Sequence, residues 1–191
     1  MTSLEGKLEQ FYPTLTWQTH CIDVATLPLH HYQEKQLVII AGIGGDLMIQ
    51  LIEAIYNQHK NLPIDFLLCP VHHQFLLREK LIELNFGLKD EALVKDNKRF
   101  YEVIYVTSDK NNKCKINPVG GKIWQVNSAS LTNQAERADQ VNQVKIAQQY
   151  LHKTLSHYQR IQNSSNSVQH IVEAYNQVTP KLYLNYTQPP P

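Results

Sequence analysis

Net charge is nearly absent from this chain. Lys and Arg number 18 against 17 Asp and Glu in 191 residues, a formal net charge of +1. That balance makes no overall case for a polyanionic partner. Cysteine is scarce: Cys21, Cys69 and Cys114 form an odd, widely spaced set. This argues against a disulfide framework and for a reducing cytoplasm. Cys21 and Cys69 stand in apolar, strand-like runs and read as buried thiols. Long hydrophobic runs are missing too. None approaches the roughly 18–20 residues of a membrane span, and the start, Met-Thr-Ser-Leu-Glu-Gly-Lys, has no signal-peptide core. The expectation is a cytoplasmic protein with no membrane contact. Cys69-x-x-His72-His73 contains metal-ligand types, but no second ligand pair follows at sensible spacing, so no metal is expected.

Glycine is also sparse, yet three of the seven fall within four residues. Leu37-Val38-Ile39-Ile40-Ala41 is apolar without alternation, the look of a strand buried on both faces of a parallel sheet. Gly42, Gly44 and Gly45 follow at once, and then an amphipathic helix from about Leu47 to Tyr56. Strand, glycine turn and helix make a place where backbone approaches a ligand, at the carboxyl end of a parallel strand. A tight turn needing positive φ explains the same glycines without a ligand.

Other elements punctuate the chain. Ser3–Phe11 reads as a short helix before Pro13. Trp17–Val24 reads as a strand with alternating faces. Ile64–Cys69 is a second unalternated strand, stopped by Pro70. Gln74–Asn85 is a helix with Leu77, Leu81 and Leu84 on one face, and Gly87 stands where a C-cap glycine belongs. Leu88–Val94 and Phe100–Val106 read as an antiparallel hairpin joined by the charged turn Lys95–Arg99. The βαβαββ order predicts an α/β sheet with an antiparallel edge.

Composition shifts after about Pro118. Val141, Val144, Ala147, Leu151, Leu155 and Tyr158 recur at three- and four-residue steps, one apolar stripe on a long helix. After the break Asn163–Asn166, a second stripe follows: Val168, Ile171, Val172, Tyr175 and Val178. Two helices joined by a short polar loop predict an antiparallel helical hairpin. The expected organisation is residues 1–118, 119–186 and a frayed tail, 187–191. From residue 141 onward Lys145, Lys153, Arg160 and Lys181 stand against Glu173, a net +3, leaving −2 before it. Lys145, Lys153 and Arg160, with His152 and His157 nearby, make one helical side that touches phosphates or is simply solvated.

These residues resemble the TrmK family of bacterial tRNA adenine-22 N1-methyltransferases. Ile40-Ala41-Gly42-Ile43-Gly44-Gly45 resembles that family's I-A-G-M-G-G turn. Leu68-Cys69-Pro70 followed by Leu77-Arg78-Glu79-Lys80-Leu81 resembles L-Q-P-N followed by L-R-x-x-L. Glu91-Ala92-Leu93-Val94 and Phe100-Tyr101-Glu102-Val103-Ile104 resemble the strands E-x-L-V and Y-E-I-I. The family also carries a carboxyl-terminal helix pair. The resemblance implies an α/β, Rossmann-like class I methyltransferase domain, N-terminally incomplete, followed by an α-helical hairpin. It departs at Cys69-Pro70-Val71, where the family has Q-P-N. The family's first two strands, with the main glycine loop and the ribose-holding acid, have no counterpart before Trp17. Trp17–Val24 then corresponds to the third strand, which has lost its neighbours and must pair with the fourth, join another chain or stay loose.

The resemblance implies S-adenosyl-L-methionine as cofactor and tRNA as partner. Asp23, Gly42, Gly44 and Gly45 are the cofactor candidates. Asp46, just past the glycines, is the catalytic candidate, a carboxylate beside the exocyclic amine of the base; its plain reading is a helix N-cap. Pro70, His72, Tyr101, Glu102, Lys145, Lys153 and Arg160 are the substrate candidates, with solvated loop histidines and a core tyrosine as plainer readings. A homo-oligomer through an exposed edge strand is a further expectation. Two other functions fit the sequence: a noncatalytic RNA-binding module, and an interaction protein assembling through edge and hairpin. Cofactor affinity separates the first reading from these, and salt-dependent tRNA binding separates the two from each other.

Overall fold

The computed structural model describes residues 2–32, 34–112, 114–127, 134–164 and 166–183. Helix α1 (Thr2–Phe11) is followed by irregular chain with short 3-10 turns at Val24–Thr26 and Leu29–His31. Then come β1 (Gln36–Ala41), α2 (Gly45–Gln58), β2 (Ile64–Cys69), α3 (Gln74–Glu83), β3 (Gly87–Asp96) and β4 (Arg99–Thr107). The rest comprises β5 (Gln125–Asn127), α4 (Gln134–Gln162), α5 (Gln169–Asn176) and β6 (Lys181–Tyr183). The main sheet has the order β1-β2-β4-β3, and β5 pairs in parallel with β6 in a small second sheet. β1 and β2 are parallel; β4 is antiparallel to both β2 and β3.

The core follows from strand alternation. Val38, Ile40, Phe66, Leu68, Ile104 and Val106 share one face and are buried with Met48, Ile52 and Ile55 of α2 and Leu77 and Leu81 of α3. Each such side chain contributes on the order of 1.5–3 kcal/mol by leaving water. The other face differs from expectation. Leu37 and Ile39 are 52% and 63% exposed, so β1 alternates where its sequence predicts burial on both sides. Parallel strands with apolar residues on both faces normally carry helices on both. Here α2 and α3 cover only one.

Trp17–Val24 is not a strand. A strand needs a partner ladder, and this segment does not pair with β1. Cys21 is therefore exposed, and Cys69, on the open face of β2, is half-buried. Partial burial raises the Cys69 thiol pKa.

The end of α3 differs by two residues. Asn85, with φ 62°, takes the left-handed position expected of Gly87. Asn85 N–H donates to Ile82 O at 2.9 Å and Phe86 N–H to Leu81 O at 3.0 Å, a Schellman closure. Gly87 instead begins β3. The hairpin forms as expected, with Asn97 at φ 52° in its turn.

The two carboxyl-terminal helices form. α4 buries Ala147, Tyr150 and Tyr158, and α5 buries Ile171, Val172 and Tyr175, around Phe75 of α3 with Val119, Ile123 and Trp124. The expected stripe is right at Ala147, Leu151, Leu155 and Tyr158 but not at Val141, which is exposed. The tail 187–191 lies outside the described residues.

Candidate functional site

At the carboxyl ends of β1 and β2 two loops are knitted together. Gly42 N–H donates to Cys69 O at 3.2 Å, Val71 N–H to Ile43 O at 3.0 Å and Gly45 N–H to His72 O at 3.0 Å. The glycines explain how the loops come so close. A Cβ on Gly44 would lie 2.2 Å from His72 Cε1, and one on Gly45 would lie 2.7 Å from the His73 carbonyl oxygen. Gly42 differs: its φ is +78°, and a Cβ there would meet nothing within 4 Å. Gly44 and Gly45 thus admit this chain's own histidine loop, and Gly42 is the glycine whose backbone faces open space.

Asp46 lies in the first turn of α2, whose N-cap is Gly44, so it is not the cap. Its Oδ2 lies 2.5 Å from His73 Nδ1, with both side chains substantially exposed. His73 has φ 60° and ψ 38°, left-handed backbone unusual for a residue with a side chain.

A cleft of about 550 Å³ opens beside this loop. Val71, His72 and His73 form one wall. Lys153 and Arg160 of α4 bring positive charge to the other, beside His157, and Phe100 and Tyr150 add aromatic surface. Lys153 Nζ stands 5.5 Å from the Phe100 ring centroid. Four of the sequence candidates (His72, Lys153, Arg160 and, through His73, Asp46) are thereby brought together.

The others are placed elsewhere. Lys145 is exposed and does not line the cleft. It lies eight residues before Lys153, and at 3.6 residues per turn that displaces it by about 80° around the helix. Lys153, His157 and Arg160 follow the four- and three-residue spacing that shares a face. Pro70 is buried at the end of β2. Tyr101 lines a separate hollow with Asp96, Asn97, Lys98 and Arg99. Asp23 caps the short turn after it, accepting from Ala25 N–H at 2.9 Å. Its segment is tied by Leu27 O, 2.8 Å from His59 Nε2, to the carboxyl end of α2, away from the glycines.

Glu102 is the clearest correction. It is fully buried, with Arg78 Nη2 2.8 Å from its Oε2 and the Tyr150 hydroxyl donating to its Oε1 at 2.6 Å. Arg78 Nη1 also meets Glu91 Oε2 at 2.6 Å. Glu91 Oε1 accepts from the N–H groups of Gly121 and Lys122, each at 2.6 Å. Burial alone would lower the Arg78 pKa; the two carboxylates overcome that and raise it. Burial and the Glu102 charge push Tyr150 well up. Arg78, Glu91 and Glu102 come from three of the motifs quoted above, so those motifs carry a buried ion network rather than a substrate contact.

A parallel pair with a glycine turn at its carboxyl end is the place where open α/β sheets bind ligands. Comparison narrows the class. The family model of a methyltransferase domain matches residues 4–104, more than half of the chain, and the chain belongs to that family. Among the solved structures that resemble it are two with a bound cofactor or cofactor product. One is Streptococcus pneumoniae Sp1610, a candidate tRNA (m1A22) methyltransferase, in complex with S-adenosyl-L-methionine. The TM-score is 0.58 and the identity 16%, over 92% of this chain and 74% of that one. The other is M. capricolum TrmK with S-adenosyl-homocysteine: TM-score 0.52, 17% identity, over 91% and 73%. At these identities the likeness is one of fold. No curated protein matches the sequence. Among the described residues no helix is long and apolar enough to cross a membrane.

Proposed function

We propose that this chain is an S-adenosyl-L-methionine-dependent tRNA adenine N1-methyltransferase, or part of one, working in the cytoplasm. The observation that carries this reading is the cleft in which the loop after β2 meets the cationic face of α4. It sits at the ligand-binding end of a methyltransferase-family sheet, and the two similar structures hold the cofactor or its product. Gly42 is the position whose surroundings fit a cofactor, since its backbone is unobstructed. S-adenosyl-L-methionine, when bound, supplies the electrophilic methyl group.

Adenine N1 attacks with its own lone pair, so the chain need not supply a nucleophile. Its task is to hold the base and accommodate the positive charge that appears on it. The Asp46–His73 pair puts a carboxylate at the cleft margin for that charge. Lys153 and Arg160 neutralise phosphates, and Phe100 and Tyr150 give aromatic surface to an extruded base. Titration calorimetry with S-adenosylhomocysteine tests this. Saturable one-to-one binding is expected, weakened at least about tenfold by Gly42→Asn, which tolerates the left-handed backbone but fills the open space. Absence of heat with folded protein contradicts the reading.

We further infer self-association through β1. Gln36-Leu37-Val38-Ile39-Ile40-Ala41 has no charge, proline or glycine, the devices that blunt a sheet edge. Among the described residues β1 is hydrogen-bonded to β2 on one side only. An antiparallel pairing of two copies centred on Val38 sets each exposed Leu37 against the other copy's Ile39, with no like charges opposed. Sedimentation velocity should show a dimer that Ile39→Lys converts to monomer; a wild-type monomer at high concentration contradicts it.

A further inference from the structure

We propose that Asp46, His72 and His73 form a site for one divalent transition-metal ion of the zinc, cobalt or nickel class. The site rests on the two loops alone, and it includes the same Asp46–His73 pair that the methyltransferase reading places at the cleft margin. The sequence offers His72 and His73 beside Cys69 with no second ligand pair. The fold supplies the missing ligand from α2. One ligand atom from each of Asp46, His72 and His73 lies within 4.8 Å of the other two.

The donor set selects the metal. Two imidazoles and one carboxylate suit zinc, cobalt or nickel, while calcium and magnesium prefer oxygen donors throughout. Three protein ligands leave at least one position for water or an incoming oxygen. The side chains are held from behind. The His72 ring occupies the space that a Gly44 Cβ would fill, and Gly45 N–H fixes the His72 carbonyl at 3.0 Å. His73 is set by its left-handed backbone, at a residue that is not glycine. His73 Nδ1 and Asp46 Oδ2 already converge at 2.5 Å. A shared ion would replace that contact with metal–ligand bonds of about 2.0–2.2 Å. The exposure of Asp46 and His73 gives the ion an entry path, and His72 and His73 bring it to the edge of the cleft.

The chelator-treated 191-residue protein is titrated with cobalt chloride, followed by visible absorption, and with zinc chloride by calorimetry. One equivalent is expected, with affinity lowered at least about tenfold by His72→Ala and by Asp46→Asn, and unchanged by His157→Ala. Asp46→Asn keeps the size of the side chain, and circular dichroism confirms the fold of each variant. Absence of a stoichiometric step overturns the proposal. So does binding that both variants leave intact, because surface histidines elsewhere then hold the metal.

Discussion

The Tyr150 hydroxyl on α4 donates to Glu102 Oε1 on β4 across 2.6 Å, with both side chains buried. Together with the apolar packing around Phe75, this bond fastens the helical pair to the sheet and so helps fix the wall of the cleft that carries Lys153, His157 and Arg160. Glu102 is committed on its other oxygen to Arg78, and Arg78 to Glu91, so the fastening is continuous from α4 through β4 to α3 and β3.

Removing the hydroxyl leaves a buried carboxylate oxygen short of a donor. Tyr150→Phe should cost about 1–3 kcal/mol of stability. Arg78→Met strands two buried carboxylates and should cost more, about 3–5 kcal/mol. Urea denaturation of the three proteins checks both the costs and their order.

Acid sensitivity should be traceable to Asp65. Burial would raise its carboxyl pKa, but hydrogen bonds with Lys89, Thr107, Tyr105 and Lys35 outweigh that and hold it at about 2, against 3.8 ordinarily. The folded state therefore binds this proton less readily than the unfolded state. The stabilisation is complete above pH 3.8 and is lost as the pH falls to about 2. Its size is about 2 kcal/mol. Asp65→Asn should lower stability at neutral pH and flatten the loss over that interval, read as denaturation midpoints against pH.

The two glycines behind the histidine loop should respond differently from Gly42. Gly45→Ala drives a Cβ to 2.7 Å from the backbone oxygen of His73, so the two loops must part. Gly42→Ala meets nothing but retains a left-handed φ, a strain of about 1–2 kcal/mol. Melting temperatures should fall in both. Perturbed His72 and His73 ring resonances in nuclear magnetic resonance spectra should mark Gly45→Ala alone.

Charge on α4 should act by position. Lys153→Ala and Arg160→Ala should each weaken tRNA binding and reduce the slope of log affinity against log salt by up to about one. Lys145→Ala, on a different side of the helix, should change both much less. Filter binding across a salt series separates them.

Local pattern made much of this architecture legible. The unalternated runs at 37–41 and 64–69 and the leucine spacing after Gln74 mark β1, β2 and α3 because side-chain period follows backbone geometry. The hairpin and the second helical stripe are equally local. What escaped depends on distance in sequence. Arg78, Glu91 and Glu102 are separate motifs until the fold closes them into one network. Asp46 reads as a cap until His73, 27 residues on, stands beside it. Trp17–Val24 alternates like a strand, but alternation cannot supply a neighbour to pair with. Lys145 fits a seven-to-eight-residue repeat by eye, yet an eight-residue step leaves the face that a seven-residue step keeps. The β5–β6 pair, three residues to a strand, is too short for any periodicity to show.

The central claim is methyl transfer to an adenine of tRNA. The most direct measurement incubates the protein with an unmodified tRNA transcript and S-adenosyl-L-methionine carrying a labelled methyl group. The digested nucleosides are then identified by mass spectrometry. Label in 1-methyladenosine, reduced by the paired Lys153→Ala and Arg160→Ala substitutions, is the predicted result. A folded protein that leaves every nucleoside unlabelled, or labels a base other than adenine, contradicts it.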